Sequence, residues 1–283
     1  MTKIIADSTC DLSKELIEKY NVEILPLHIM LGEEEYLDGV NITPAEIYAW
    51  SDANKETPKT SAIDMNTPVE VFQKYLDAGM EVVCFSISDD MSTTGNIFRM
   101  AVEELDAQDK VKIVNSANLS TGIGLLVIEA AIMAANGEGA AAIAARMEEL
   151  KPYVRASFVV DTLVYLHRGG RCSGLAALAG GALKLHPRIA VAEGKMKPGK
   201  KYRGSIDKVI MDYVKEMESD LKSARKDRVF ITHSGCDEKV VSQVRAYLES
   251  LGHFEEILVT VAGGVISSHC GPGTLGVLFI AEN

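Results

Sequence analysis

The chain has 283 residues, 47 % of them hydrophobic and 24 % charged, with a formal net charge of −11. That composition is globular and sufficient to bury a sizeable core, while the acidic balance argues against a nucleic-acid surface, which needs a basic face. The five cysteines are odd in number and lack C-x-x-C spacing, so neither a disulfide framework nor a zinc site is expected.

In chain order, "KIIADST" reads as a short apolar strand ending in polar residues, and "CDLSKELIEKYN" as a helix with Leu12, Leu16, Ile17 and Tyr20 on one face. "VEILPLHIML" reads as a second strand. "ITPAEIYAWSDA" opens as a helix, with Thr43 as N-cap and Pro44 in the first turn, and "TPVEVFQKYLDAGM" repeats that opening. "EVVCFSIS", "TTGNIFRMAVEELD", "KVKIVNS" and "GIGLLVIEAAIMAANG" continue as strand, helix, strand and helix. The alternation predicts an α/β fold whose N-terminal domain has a mainly parallel sheet flanked by helices. After about residue 155 the character changes. "ASFVVDT" is a strand, 163–204 is rich in glycine, lysine and arginine, and "DRVFITHSG", "EKVVSQVRAYLESLG", "EEILVTV" and "GTLGVLFIAE" form a second α/β unit. The expected domains are 1–153 and 154–283.

No apolar run reaches the roughly 20 residues of a membrane span, and the N-terminus lacks a signal-peptide core. With scattered thiols, this predicts a cytoplasmic protein. The six histidines show no metal-ligand spacing, and neither a P-loop nor a dinucleotide fingerprint is present. No metal and no cofactor are expected.

In parallel α/β sheets, ligands sit beyond the carboxyl ends of the strands. Hydroxyls recur there: Ser8 and Thr9, Ser86 and Ser88 followed by "MSTTGN", and Ser116. Capping the next helix is the bland role for each, but free amides at a helix start also suit an anion. "KTSAIDMNTP" (59–68) is a further hydroxyl cluster in a loop. In "YLHRGGRCSG" (165–174), Arg168 and Arg171 flank two glycines, so both guanidiniums could reach one anion. His269 lies in "VISSHCGPGTLGVLF" (265–279), between serines and a Gly-Pro-Gly turn.

These motifs carry a resemblance. "IIADSTCDLS" (4–13), "ILPLHIML" (24–31), "YLDGVNIT" (36–43), "PKTS" (58–61), "SISDDMSTT" (86–94), "YLHRGGRCS" (165–173), "HPRIAVAEGK" (186–195) and "SSHCGPGTLG" (267–276) together resemble the DegV family, which includes the fatty-acid-binding subunits of bacterial fatty acid kinase. The resemblance implies two α/β domains with a long-chain fatty acid in a tunnel between them. It places Thr60, Ser61, Ser92, the backbone amide of Thr93, and His269 at the carboxylate. Arg168, with Arg171, is placed close by, facing a phosphate or a partner.

Three departures stand out: Thr93 occupies the family's glycine position, the Thr-Ser-x-Pro-Ser segment reads "TSAIDMNTP", and Asn115 replaces an aspartate.

The implied function is a lipid-binding carrier, not an enzyme, which presents the acid to a separate ATP-dependent kinase for acyl-phosphate formation in phospholipid metabolism. The resemblance also allows transient membrane contact. Ile24, Leu27, Ile29, Phe98, Ile123, Leu126 and Leu163 are candidates to line the tunnel. The alternative is a hydrolase or transferase acting on a carboxylate or phosphate ester, with Ser92 as nucleophile and His269 as base.

Overall fold

The computed structural model describes residues 1–171 and 185–282; the Cys172 and Ser173 of the arginine-glycine motif lie outside them. Strand β1 (Thr2–Asp7) is buried on both faces, as its near-continuous apolar run requires of a central parallel strand. It lies between β2 (Glu23–Leu25) and β6 (Glu81–Ser86), with β7 (Val111–Asn115) beyond β6, and every pairing is parallel. The order β2-β1-β6-β7 reverses direction at the β1/β6 junction, where the two connections leave on opposite sides.

Alternate residues feed two cores. Ile5, Val82 and Cys84 face helices Asn66–Asp77 and Thr94–Glu104, whose Phe72 and Phe98 meet edge-on at 6.1 Å. Ile4, Val83 and Phe85 face helix Thr121–Ala135. That helix is buried around most of its circumference, which a chain as apolar as "TGIGLLVIEAAIMAA" tolerates only between two layers. Its second layer is the C-terminal sheet, and one continuous core runs through both.

The C-terminal sheet has the order β10-β9-β8-β13-β11-β12, from β8 (Val154–Val159), β9 (Leu185–Ala192), β10 (Lys195–Arg203), β11 (Ala224–Ser234), β12 (Glu256–Val261) and β13 (Thr274–Ala281). Only β11/β12 is parallel; the other four pairings are antiparallel. Helices Ile206–Glu216 and Glu238–Ser250 cover its outer face.

"VEILPLHIML" is not one strand. Pro26 cannot donate to a ladder, and the chain changes sheets there. β3 (His28–Leu31) joins β4 (Glu34–Leu37) and β5 (Lys59–Ser61) in a small antiparallel sheet ordered β4-β3-β5. Helix Pro44–Asn54, with the expected Thr43–Glu46 capping box, packs beside it. "KTS" is therefore β5 rather than loop, with Thr60 opposite Ile29. "VISSHC" is helix too: Gly264–Cys270 runs between β12 and β13.

Candidate functional site

Where β1 and β6 end side by side, the Asp7 carboxylate ties them together. It accepts from the backbone N–H of Thr9 at 2.9 Å and of Ile87 at 2.7 Å, and from the Thr9 hydroxyl. Burial pushes its pKa up to about 6. Beyond Ile87 the chain turns on Ser88, whose carbonyl accepts from Met91 N and Ser92 N. The Ser88 hydroxyl donates to the Gly194 carbonyl at 2.7 Å, at the tip of the β9–β10 hairpin. Gly194 has φ +75°, and a Cβ there would crowd Ser88 Oγ, so this approach needs glycine. The hairpin so fixed lays Met196 over a cavity of about 470 Å³.

The opposite wall is helix Gly264–Cys270, which contributes Val265, Ile266, His269 and Cys270. Two buried carboxylates grip its start. Asp11 accepts from Gly263 N at 2.8 Å and from Ser120 Oγ at 2.5 Å; Asp38 accepts from Gly264 N at 2.6 Å and from Ser8 Oγ at 2.8 Å. Burial raises both pKa values. These acids lie more than 220 positions from the glycines they hold, so no local pattern announces them. At the helix's other end, His269 Nε2 is 2.8 Å from Thr60 Oγ1 on β5. Burial, and then the Arg171 charge, lower the His269 pKa to about 4, so the ring is neutral at pH 7.

Thr60, Ser61, Ser92, Thr93, His269 and Arg171 thus come together on one cavity. Arg168 does not line it. Its side chain is exposed over a separate shallow hollow with Lys55, Thr57 and Tyr165. Helix Val164–Gly169 ends between the two arginines, with Gly170 in the left-handed region at φ +67°.

Ser92 Oγ lies 2.9 Å from Thr94 Oγ1 and accepts from Thr94 N at 3.3 Å. Thr93 has φ −84°, which any L-residue adopts, so no glycine is needed there. Asp64, in the altered segment, caps the following helix by accepting from Asn66 N and Thr67 N. Asn115 supports the site loop, its Oδ1 accepting from Asp89 N at 3.3 Å and Ala117 N at 2.9 Å.

Of the proposed tunnel residues, Leu27 lines the cavity, whereas Ile29, Phe98, Ile123 and Leu126 sit in the cores. The apolar lining comes chiefly from Leu27, Ile87, Met91, Leu119, Met196 and Ile266. A second cavity of about 20 Å³ lies beside it, with Leu119, Ile266 and Cys270 lining both. Asp89 and Asp90 at the rim are each paired, with Arg99 at 3.0 Å and Lys195 at 3.4 Å, which softens their repulsion of an anion. Among the described residues no cluster of three metal-binding side chains occurs, and no helix is long and apolar enough to cross a membrane. The arrangement offers hydroxyl and neutral imidazole groups next to apolar walls, which suits an amphiphilic anion.

The likeness to known proteins extends over the whole chain. A DegV family protein of Thermus thermophilus, described for its fatty acid binding, shares 30 % identity over 99 % of both chains with a TM-score of 0.90. A stearic-acid-binding protein of Eubacterium ventriosum is 28 % identical, over 99 % of this chain and 98 % of its own, with a TM-score of 0.85. A DegV domain-containing protein of Clostridium perfringens is 30 % identical over 280 residues, 99 % of this chain and 98 % of that one. The family model described as uncharacterised protein, DegV family, matches residues 1–282, and the chain belongs to the DegV family.

Proposed function

We propose that this protein binds a long-chain fatty acid, with the carboxylate near Thr60, Ser61, Ser92, the Thr93 amide and His269, and the acyl chain along the apolar walls. The observation that carries this reading is the pairing of hydroxyls and a neutral histidine with an apolar cavity in one space. The fatty acid binding described for the Thermus and Eubacterium relatives supports it. Each buried methylene is worth about 0.8 kcal/mol, so about fourteen of them supply roughly 11 kcal/mol before ordering costs. A carboxylate cannot be buried without several donors, and hydroxyls and amides supply them without a buried countercharge.

The sequence carries no P-loop or dinucleotide fingerprint, so acyl-phosphate formation is assigned to a separate ATP-dependent fatty acid kinase. The protein acts in the cytoplasm as the non-catalytic carrier, touches membranes only transiently, and feeds phospholipid metabolism. Arg171 on the cavity wall faces the incoming phosphate, and Arg168, on its separate hollow, is left to contact the kinase. The two α/β domains meet at residues 153/154, with the ligand between them. The esterase-like alternative finds little support: Ser92 hydrogen-bonds Thr94 and His269 hydrogen-bonds Thr60, so the nucleophile–base pair is not formed.

Mass spectrometry of an organic extract of the purified protein tests the reading. One fatty acid per chain, lost in a His269→Ala/Ser92→Ala double variant, is expected. Protein that extracts clean and takes up no added long-chain acid refutes it.

A further inference from the structure

The two ring nitrogens of His269 have unequal surroundings. Nε2 meets the Thr60 hydroxyl at 2.8 Å. Nδ1 is buried and has no hydrogen-bond partner among the described residues. What covers it is the backbone of Gly169: a Cβ on that residue would fall on Nδ1, far inside van der Waals contact. The Gly169 carbonyl accepts from Arg171 Nη1 at 2.6 Å and makes no hydrogen bond with Nδ1.

A neutral imidazole carries its proton on one nitrogen only. With the proton on Nδ1, a buried N–H would face nothing, and the Thr60 proton would be spent on Nε2. With the proton on Nε2, the ring donates to Thr60 Oγ1 and leaves an unpaired acceptor at Nδ1. Orphaned buried donors are rarer than under-used acceptors. The Arg171 guanidinium nearby also favours a lone pair over an N–H at Nδ1.

We propose that Gly169 is a positioning residue that fixes His269 as the Nε2–H tautomer, so that His269 donates to Thr60 and the Thr60 hydroxyl presents its own proton to the cavity. Histidine then acts through threonine, and the group offered to an anionic head is a hydroxyl. The inference rests on the fatty-acid reading only for the identity of that anion.

The test uses the full chain, freed of lipid and labelled with 15N in its histidines. Long-range proton–nitrogen correlation at neutral pH is expected to show His269 protonated at Nε2 and bare at Nδ1; a proton on Nδ1 overturns the proposal. Gly169→Ala is expected to displace the ring and weaken oleate binding about tenfold, the scale of one hydrogen bond to a charged group, in a chain that still unfolds cooperatively in urea. Retention of both tautomer and affinity in that variant overturns the role of Gly169. Should it fail to fold, Thr60→Ser and Thr60→Val decide. Serine is expected to keep the affinity within about twofold and valine to lose about tenfold, and equal affinities refute the threonine donor. Wild-type protein that binds no oleate defeats the carrier reading, while the nitrogen spectrum still decides this one.

Discussion

Acidification should destabilise this fold through His269, and the size of the effect follows from its surroundings. The ring is largely enclosed, Nδ1 has no partner among the described residues, and Arg171 adds a like charge to any imidazolium. Its pKa falls from 6.5 to about 4. The folded state therefore binds fewer protons than the unfolded chain between those values, so stability rises with pH across this window and is flat above it. At about 1.4 kcal/mol per pH unit, the descent is worth roughly 3 kcal/mol. Asp7 works in the opposite sense: its folded pKa of about 6 lies above the unfolded value, so its contribution is lost as pH rises from about 4 to 6. Asp11 and Asp38, whose pKa values burial also raises, act in the same sense as Asp7, so a raw stability profile mixes all of them. The clean quantity is the difference between wild type and His269→Gln, followed by urea unfolding of the lipid-free proteins with Trp50 fluorescence. That difference should grow by roughly 3 kcal/mol between pH 4 and pH 7. A difference that stays constant across the window would refute a buried, neutral His269.

Asp38→Ala leaves the Gly264 N–H and the Ser8 hydroxyl without their acceptor in a buried setting; a loss of about 2 kcal/mol in urea unfolding is expected, with weaker oleate binding. Gly194→Ala forces a side chain into φ +75° against Ser88 Oγ; it should cost about 1 kcal/mol or more and speed oleate release as the hairpin bearing Met196 loosens, which stopped-flow displacement would detect. Across a series of saturated acids, affinity should rise about fourfold per added methylene until the cavity is filled; isothermal titration showing no dependence on length would contradict an acyl chain lying along the apolar walls.

How far the site could be read from sequence depended on separation along the chain. The β1, β6 and β7 strands were legible because each is a short run rich in β-branched apolar residues followed by a helix, with β1 and β6 buried on both faces and β7 half-buried at the sheet edge. The hydroxyl-rich strand ends followed from the same pattern. Pro26 was visible, but its consequence was not: a proline says where a ladder must stop, not which sheet the chain enters next. Helix Gly264–Cys270 is too short for a periodicity to declare itself. The grip of Asp11 and Asp38 on its first turn joins segments whose proximity only the folded sheets create. The two arginines looked equivalent in sequence, yet a helix end at Gly169 and a left-handed Gly170 send Arg171 to the cavity and Arg168 to the neighbouring hollow.

On the carrier reading, the choice of donors at the site has its own logic. A buried ion pair would hold a carboxylate strongly, but two desolvated charges cost several kcal/mol each, and removing one partner strands the other. A carrier that must give up its ligand is poorly served by that. A neutral histidine behind a threonine hydroxyl, helped by Ser92 and the Thr93 amide, offers hydrogen bonds of a kcal/mol or few each and leaves no orphaned cation when the acid departs. Affinity then resides in the acyl chain, where it scales with length, and the head group is left the more readily transferable end. Arg171 stands at the cavity wall, exposed enough to remain hydrated when the site is empty and near enough to meet negative charge that develops at the head group. On the carrier reading, this division of labour ties the apolar lining to selectivity and the hydroxyl cluster to handover, so Thr60→Val should alter head-group affinity by a similar factor for every chain length tested.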